Sequence, residues 1–280
     1  MIIALFTNVI KNHAKPLAIG IREFLSHRNI TVVAEDKEAA HIGADPLSKV
    51  DPASIDFLIS LGGDGSILRI FHTYPQLNAP ILGINLGGLG FMTDVTIEEL
   101  YPSLENLLAG RYQIQNRLMM EGETTGQQLY FAVNEVVVHR AKNPSLIDLA
   151  IYVDGKYLNT FSADGIIVAT PNGSTAYSLA AGGPILTPDL EAFVITPISP
   201  HTISNRPIVL MPKQELEIRY IGEYPSVEAT YDGFGHFPLR TGEVLLIRNS
   251  KRKFRLVNMM HYDYFSTLRT KLGWTGKLKK

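Results

Sequence analysis

The segment ISLGGDGSILR, Ile59 to Arg69, sets one acid among three glycines directly after an apolar run. The apolar run ends at Leu61 and a helical pattern starts near Ser66, so the glycines occupy a strand-to-helix turn. Phosphates bind at such turns, because glycine lets an anion come close to the backbone and the free N–H groups of the helix start point at it. Gly62, Gly63, Gly65 and Ser66 are therefore candidate phosphate-binding residues. Asp64 is out of place beside a phosphate unless it has another task. The helix dipole favours its ionised form, and an ionised carboxylate only accepts hydrogen bonds. Its natural partner is a substrate hydroxyl aimed at a phosphoryl group, which is the geometry of a general base in phosphoryl transfer. The competing reading is an Asp that merely caps the helix, and the residues by themselves leave both open.

Two familiar phosphate loops are excluded. GxxxxGK[ST] is absent, and the dinucleotide fingerprint GxGxxG fits at Gly63 and Gly65 but has Leu68 at its third position, where a side chain spoils close helix–strand packing. A second glycine cluster, GINLGGLGF from Gly83 to Phe91, follows the next strand. Two such turns after consecutive strands would share the sheet edge where α/β proteins bind ligands, unless both are only tight turns. In DGIIVATPNGSTAYSLAAGGPI, Asp164 to Ile185, a β-branched run is stopped by Pro171 and turned by Asn172-Gly173. Ser174 or Thr175 can then cap a short helix of small residues, roughly Thr175 to Ala181. Small side chains admit a ligand and Tyr177 offers a ring face to a base; a capped helix packed on a sheet explains the same residues. GxSxG is missing, which removes a serine hydrolase. Asn134-Glu135, opening NEVVVHR, is a polar pair able to project from a strand end. None of the eight histidines has a metal-ligand spacing, so no protein-built metal site is expected.

Alternating elements must position these residues. IIALF, ITVVAE, DFLISL and PILGIN read as strands, and PLAIGIREFLSHR, GSILRIFHTY and IEELYPSLENLLAG as helices. Strands alternating with helices imply right-handed crossovers and a mainly parallel sheet. After about Gly110 the period becomes that of strands, in LYFAVNEVVVHR, IDLAIYVDGKYLNTF, PIVLMP, ELEIRY, VEATYDGF and EVLLIRNS. Asp154-Gly155 between two such runs predicts a two-residue type I′ hairpin. FSTLRTKL near the C-terminus looks helical again. The expected organisation is an α/β domain over 1–112, a β-rich domain over 113–255, and a tail with a helix over 256–280 that can return to the first domain.

The chain has 280 residues, enough for two domains, with 45% apolar and 19% charged residues, as in ordinary globular proteins. A net charge of -1 gives no global field toward nucleic acid or an anionic membrane, so any anionic ligand is held locally. The basic runs KRKFR (Lys251 to Arg255) and KLKK (Lys277 to Lys280) read as solvated surface and tail. With no cysteine there is no thiolate chemistry and no disulfide framework. MIIALFTN is too short for a signal peptide and no apolar run spans a membrane, so a soluble cytoplasmic protein is expected.

Taken together, LGGDGS, GINLGGLGF, Asn134-Glu135, the Asp164 to Ile185 segment, TPISPHTISNRPIVL and DYFSTLRTKLGWTG resemble the bacterial NAD kinases. GGDG is shared with phosphofructokinases and diacylglycerol-type lipid kinases; the long Thr- and Gly-rich segment and the late SNRP are more specific. The resemblance implies a Rossmann-like, phosphofructokinase-like N-terminal domain, a C-terminal domain of packed β-sheets, and a site between them. It implies phosphorylation of the adenosine 2′-hydroxyl of NAD to give NADP, with ATP or polyphosphate as donor and Mg²⁺ carried mainly by the ATP. By position, Asp64 matches the catalytic base, with Gly65 beside it. Asn134 and Glu135 match an NAD-contacting pair, Asp164 an acid near the nicotinamide, and Phe91 an aromatic position of the pocket. Thr175, Ala176, Tyr177, Ser178, Leu179 and Ala180 fall on the segment that encloses the dinucleotide, and Ser199 on a ligand-lining position that varies among relatives. Phe234 stands where many relatives have Gln, which leaves the family's polar ligand contact open at that position. The implied assembly is a homodimer or homotetramer. Two rivals are a lipid or sugar kinase with the same turn and a sensor that binds the dinucleotide without phosphorylating it.

Overall fold

The computed structural model describes residues 1–7, 14–88, 90–124, 129–202, 204–211, 215–224, 226–260, 262–274 and 276. The KLKK tail and Leu89 of the second glycine cluster lie outside them. The chain forms two compact units, Met1–Asn116 with Arg255–Lys280, and Arg117–Phe254.

The first unit opens with β1 (Ile2–Phe6), α1 (Ala14–Ser26), β2 (Thr31–Ala34), α2 (Asp36–Ile42) and β3 (Asp45–Pro46). It continues through β4 (Phe57–Gly62), α3 (Asp64–Thr73), β5 (Ile81–Asn85), α4 (Leu100–Leu108) and β6 (Tyr112–Arg117). The second unit carries β7 (Met120–Thr124), β8 (Leu129–Ala132), β9 (Glu135–His139), β10 (Ile147–Val153), β11 (Lys156–Ala163) and β12 (Gly165–Ala169). After α5 (Tyr177–Ala180) come β13 (Phe193–Ile198), β14 (Ile208–Leu210), β15 (Leu216–Tyr220), β16 (Ser226–Tyr231), β17 (Gly235–Arg240) and β18 (Val244–Asn249). The chain closes with β19 (Phe254–Met259) and α6 (Tyr264–Leu272).

In the first unit the sheet order is β3-β2-β1-β4-β5-β19-β6, with parallel pairing from β3 through β19. The order reverses at β1 and β4. Ligands of doubly wound sheets bind beyond the carboxyl ends at such a reversal, which is where β4 runs into Gly62-Gly63-Asp64. β4 and β5 are buried at every position, as continuous apolar runs between two helical layers must be. Helix α1 buries Ala14, Ala18, Ile21 and Leu25, one stripe of a 3.6-residue period. Pro16 is tolerated because it sits in the first turn.

α3, which begins with Asp64, is tied to the end of β2. Glu35, only 4% exposed, accepts from Arg69 Nη1 at 3.1 Å, Arg69 Nη2 at 3.3 Å and the Tyr74 hydroxyl at 2.8 Å. Burial first, and then the bond to Glu35, push the Tyr74 phenol up to about 12. Glu35→Gln leaves Arg69 with half of its fork partner, and we expect it to lower unfolding stability by about 2–3 kcal/mol, read as a lower calorimetric Tm. An unchanged Tm would show that the pair holds nothing.

The second unit has two six-stranded sheets, β11-β10-β15-β18-β7-β8 and β14-β13-β12-β9-β16-β17, all of whose recorded pairs are antiparallel. Their inner faces pack as one core, with Leu149, Ile151, Phe161 and Ile218 against Val136, Val138, Ile166 and Phe193. The outer face of β9, β12 and β13 is covered as well, where Val137, Ile167, Ala169 and Val194 meet Leu186. This second cover explains why VVV and IIVA are apolar throughout rather than alternating. Asp154-Gly155 forms the predicted hairpin, with φ of 49° and 75° and Val153 paired to Lys156.

LYFAVNEVVVHR divides into β8 and β9 at Val133-Asn134, where the chain passes from one sheet to the other and NEVVVHR opens its own strand. Three expectations are corrected. The stretch Thr175 to Ala181 is an α-helix only over Tyr177–Ala180, preceded by a 3-10 turn over Gly173–Thr175. Neither Ser174 nor Thr175 caps it, since Ser174 Oγ is held between Pro171 O at 2.7 Å and the amide of Leu186 at 2.9 Å. The basic run KRKFR is only partly surface, because Phe254 is buried at the start of β19 and burial lowers the Arg252 pKa.

Candidate active site

In the first unit the two glycine turns meet. Asp64 is the first residue of α3, the cap position belongs to Gly63, and no side chain makes a cap bond there. The helix-cap reading of Asp64 is thereby removed. Its carboxylate reaches into the loop after β5 instead: Oδ2 accepts from Phe91 N at 2.8 Å, and Oδ1 from Met92 N at 3.0 Å and Thr93 Oγ1 at 3.2 Å. The loop is shaped to do this. Asn85 Nδ2 donates to Gly88 O at 2.7 Å while its Oδ1 accepts from Gly87 N at 2.8 Å. A Cβ at Gly90 would lie 2.2 Å from Asp64 Oδ1 and from Thr93 Oγ1, so only glycine lets the loop close on the carboxylate. Gly63 and Gly65 have nothing within 4 Å of an added Cβ, which leaves their backbone open to an approaching group, whereas Ser66 folds back over Gly62. Phe91 is half-buried, its ring 6.3 Å from that of Tyr264 and beneath Lys271 Nζ at 5.5 Å, both on α6.

In the second unit Asn134 and Glu135 stand where the chain enters β9. Asn172 Nδ2 donates to Asn134 Oδ1 at 2.6 Å, and Arg117 Nη1 to Asn172 Oδ1 at 3.4 Å. The Asn172-Gly173 turn lies directly on this pair, an added Cβ at Gly173 falling 2.1 Å from Asn134 O. The carboxylate of Asp232, at the β16–β17 turn, accepts from Val133 N at 2.8 Å, Asn134 N at 2.7 Å and Glu135 N at 3.0 Å. Glu135 is buried, its Oε2 has no hydrogen-bond partner, and burial followed by the Asp232 charge pushes its carboxyl up to about 8.

Glu135 lines an open hollow of about 400 Å³ together with Val137, His139, Arg140, Asp164, Tyr177 and Thr230. Asp164 is held there by Arg140 Nε at 2.8 Å. Tyr177 is 46% exposed on the same rim, so its ring face is free for stacking. Thr175 bonds back to Asn172 O at 3.2 Å, and Ser178 is buried with its hydroxyl 2.8 Å from Thr196 Oγ1. Ala176 and Leu179 are half-buried, Ala180 is exposed, and Ser199 is an exposed non-glycine at φ 44°. The hollow thus gathers Glu135, Asp164 and Tyr177, while Ser178 faces the sheet. Asp232, Arg140 and Asn172 carry no role in the sequence reading. Asp232-Gly233 repeats the dipeptide of the predicted hairpin at 154–155, a signal for the turn but not for what its carboxylate holds. Among the described residues no cluster of three or more His, Cys, Asp or Glu forms a metal cage.

Residues 3–112 match the ATP-NAD kinase N-terminal domain and residues 133–259 the ATP-NAD kinase C-terminal domain. The chain belongs to the NAD kinase family. Among NAD kinases it is 57% identical to that of Protochlamydia amoebophila over 277 residues, covering 99% of both chains. It is 39% identical to the NAD kinase of Geobacter metallireducens, covering 97% of this chain and 98% of that one. An NAD kinase from Archaeoglobus fulgidus, solved with ATP, superposes with a TM-score of 0.75 at 27% identity and covers 99% of this chain and 100% of the other. A yeast NADH kinase solved with NADH shares the fold at a TM-score of 0.84, with 24% identity, 100% of this chain and 89% of that one. The NAD kinase fold, an α/β unit with a parallel sheet and a β-rich unit of antiparallel sheets, is the one expected from the period change. Among the described residues no helix is long and apolar enough to cross a membrane.

Proposed function

We infer that this chain transfers the γ-phosphoryl group of ATP to the 2′-hydroxyl of the adenosine ribose of NAD, forming NADP and ADP. The observation that carries the chemistry is the occupancy of the Asp64 carboxylate. Of its roughly four lone-pair positions, Oδ1 uses two, on Met92 N and Thr93 Oγ1, and Oδ2 uses one, on Phe91 N. Among the described residues no donor takes the fourth, on Oδ2. It is fixed in space by donors on a loop that a Cβ at Gly90 would push away. A ribose hydroxyl bonded there passes its proton to Asp64 as its oxygen attacks the γ-phosphorus and the bond to the ADP oxygen breaks. Phosphoryl transfer has a loose transition state, so alignment of the hydroxyl matters more than the strength of the base.

Gly63 and Gly65 bring open backbone to the phosphates, and Phe91 lends its ring to the same ligand. In the second unit Asn134 and Glu135 contact the dinucleotide, Asp164 serves its nicotinamide end, and Tyr177 stacks on it from the Thr175 to Ala180 segment. Bound ATP would carry Mg²⁺ on its phosphates, which would neutralise part of their charge; among the described residues the fourth position on Asp64 suits a hydroxyl better than a metal shell. A cytosolic site of action fits a chain without cysteine, and assembly as a homodimer or homotetramer belongs to the same reading, checked by light scattering.

The purified chain, given NAD, ATP and Mg²⁺, is expected to make NADP, followed with an NADP-specific dehydrogenase. No NADP with NAD binding retained would turn the reading to a dinucleotide sensor. Replacing ATP by polyphosphate, and NAD by NADH, in the same assay gives the donor and acceptor preference.

A further inference from the structure

Asp232 acts on the Asn134-Glu135 pair in two ways. Its carboxylate gathers three consecutive amides, Val133, Asn134 and Glu135, where the chain leaves one sheet for the other. The same carboxylate binds the backbone N–H of Glu135 at 3.0 Å and its charge acts on the Glu135 carboxyl, which is buried, has an unpartnered Oε2 and lines the 400 Å³ hollow. A buried carboxyl without donors carries charge at a cost, and a second acid nearby raises that cost. Asp232 has three backbone donors, and Glu135 Oε2 has none.

We propose that Asp232 is a positioning residue that holds Glu135 as a neutral acid, so that Glu135 meets the dinucleotide as a hydrogen-bond donor rather than as an anion. This rests on the hollow being the NAD site. The upward push on Glu135, to about 8, has burial as its first cause and the Asp232 charge as its second. The other groups around it do not oppose it. His139 and Arg140 stand at the far end of β9, Arg140 is spent on Asp164 at 2.8 Å, and Tyr177 comes from α5. Tyr231 precedes Asp232 on β16, and Arg117 reaches toward Asn172. A neutral acid adds no repulsion to a ligand that already carries two phosphates, and its proton can go to a ribose or carboxamide oxygen as a hydrogen bond.

The test is the pH dependence of NAD recognition from pH 6.5 to 9.5, read as KM for NAD and as binding heat in two buffers of different ionisation enthalpy. For the parent chain, KM is expected to rise about tenfold between pH 7 and pH 9 with an inflection near 8. Binding above the inflection should take up a proton. In Glu135→Gln, whose amide donates but does not titrate, the ratio of KM at pH 9 to KM at pH 7 should collapse to about one. In Asp232→Asn the inflection should move to lower pH; if that variant does not fold, the parent and Glu135→Gln decide by themselves. A flat parent profile, or a tenfold rise that survives Glu135→Gln, overturns the proposal, and an unmoved inflection in Asp232→Asn removes Asp232 from it. Failure of the parent to make NADP at pH 7 strikes the functional reading instead.

Discussion

Asp64→Asn is expected to lower kcat by ~10²- to 10⁴-fold with KM for NAD little changed, a loss of about 3–5 kcal/mol of transition-state stabilisation. The substitution removes more than a base. Asn has one acceptor oxygen and an amide group that only donates, whereas Asp64 takes backbone N–H groups on both oxygens, Phe91 at 2.8 Å and Met92 at 3.0 Å. Whichever way the side chain turns, an N–H faces an N–H, and the loop from Asn85 to Val95 must give. Thermal unfolding reads the second effect, since a displaced loop lowers Tm by a few degrees whereas loss of the base alone does not. Turnover within threefold of the parent would end the role of Asp64 as base.

Gly173→Ala is expected to be the most damaging single methyl in the second unit. The added carbon would fall 2.1 Å from Asn134 O, 2.5 Å from Asn134 C and 2.8 Å from Asn134 Cα, all backbone atoms that cannot swing aside. The turn must lift, and with it goes the bond from Asn172 Nδ2 to Asn134 Oδ1 at 2.6 Å. Overpacking against backbone costs roughly 2–4 kcal/mol, which for a chain of this size lowers Tm by about 5–10 °C. Protein that still folds should show KM for NAD raised at least about tenfold, by the loss of a fixed contact pair. A variant with parental Tm and KM would mean that the Asn172-Gly173 turn is not seated on Asn134 in solution.

How much of this was legible depends on the range over which each signal acts. The alternation of strand and helix up to Asn85, apart from the short α2 and β3, and the hairpin at Asp154-Gly155 are local, set by period and by positive φ at two residues, and could be read directly. The meeting of the two glycine turns could be argued from consecutive parallel strands. What holds the Asp64 carboxylate could not, because its donors lie 27 to 29 residues away. Asp232 is hidden for the same reason, with its three amides 97 to 99 residues distant. The Thr175 to Ala181 stretch misled in the other direction: Ser174 and Thr175 have strong capping propensity, yet Ser174 is buried, tied to Pro171 and Leu186, and unavailable for a cap.

β19 has a consequence for how the protein is made. It fills the place between β5 and β6 in the first sheet, so a strand that emerges more than 130 residues after β6 completes a layer begun at β1. On the ribosome, at roughly 5–20 residues per second, the β-rich unit over 117–254 is fully extruded while the older sheet still has a one-strand gap beside the strand that precedes the second glycine turn. The loop that grips Asp64 therefore matures last. A nascent chain stalled before Phe254 would carry Asp64 and its glycine turns without the strand that fills the sheet beside β5.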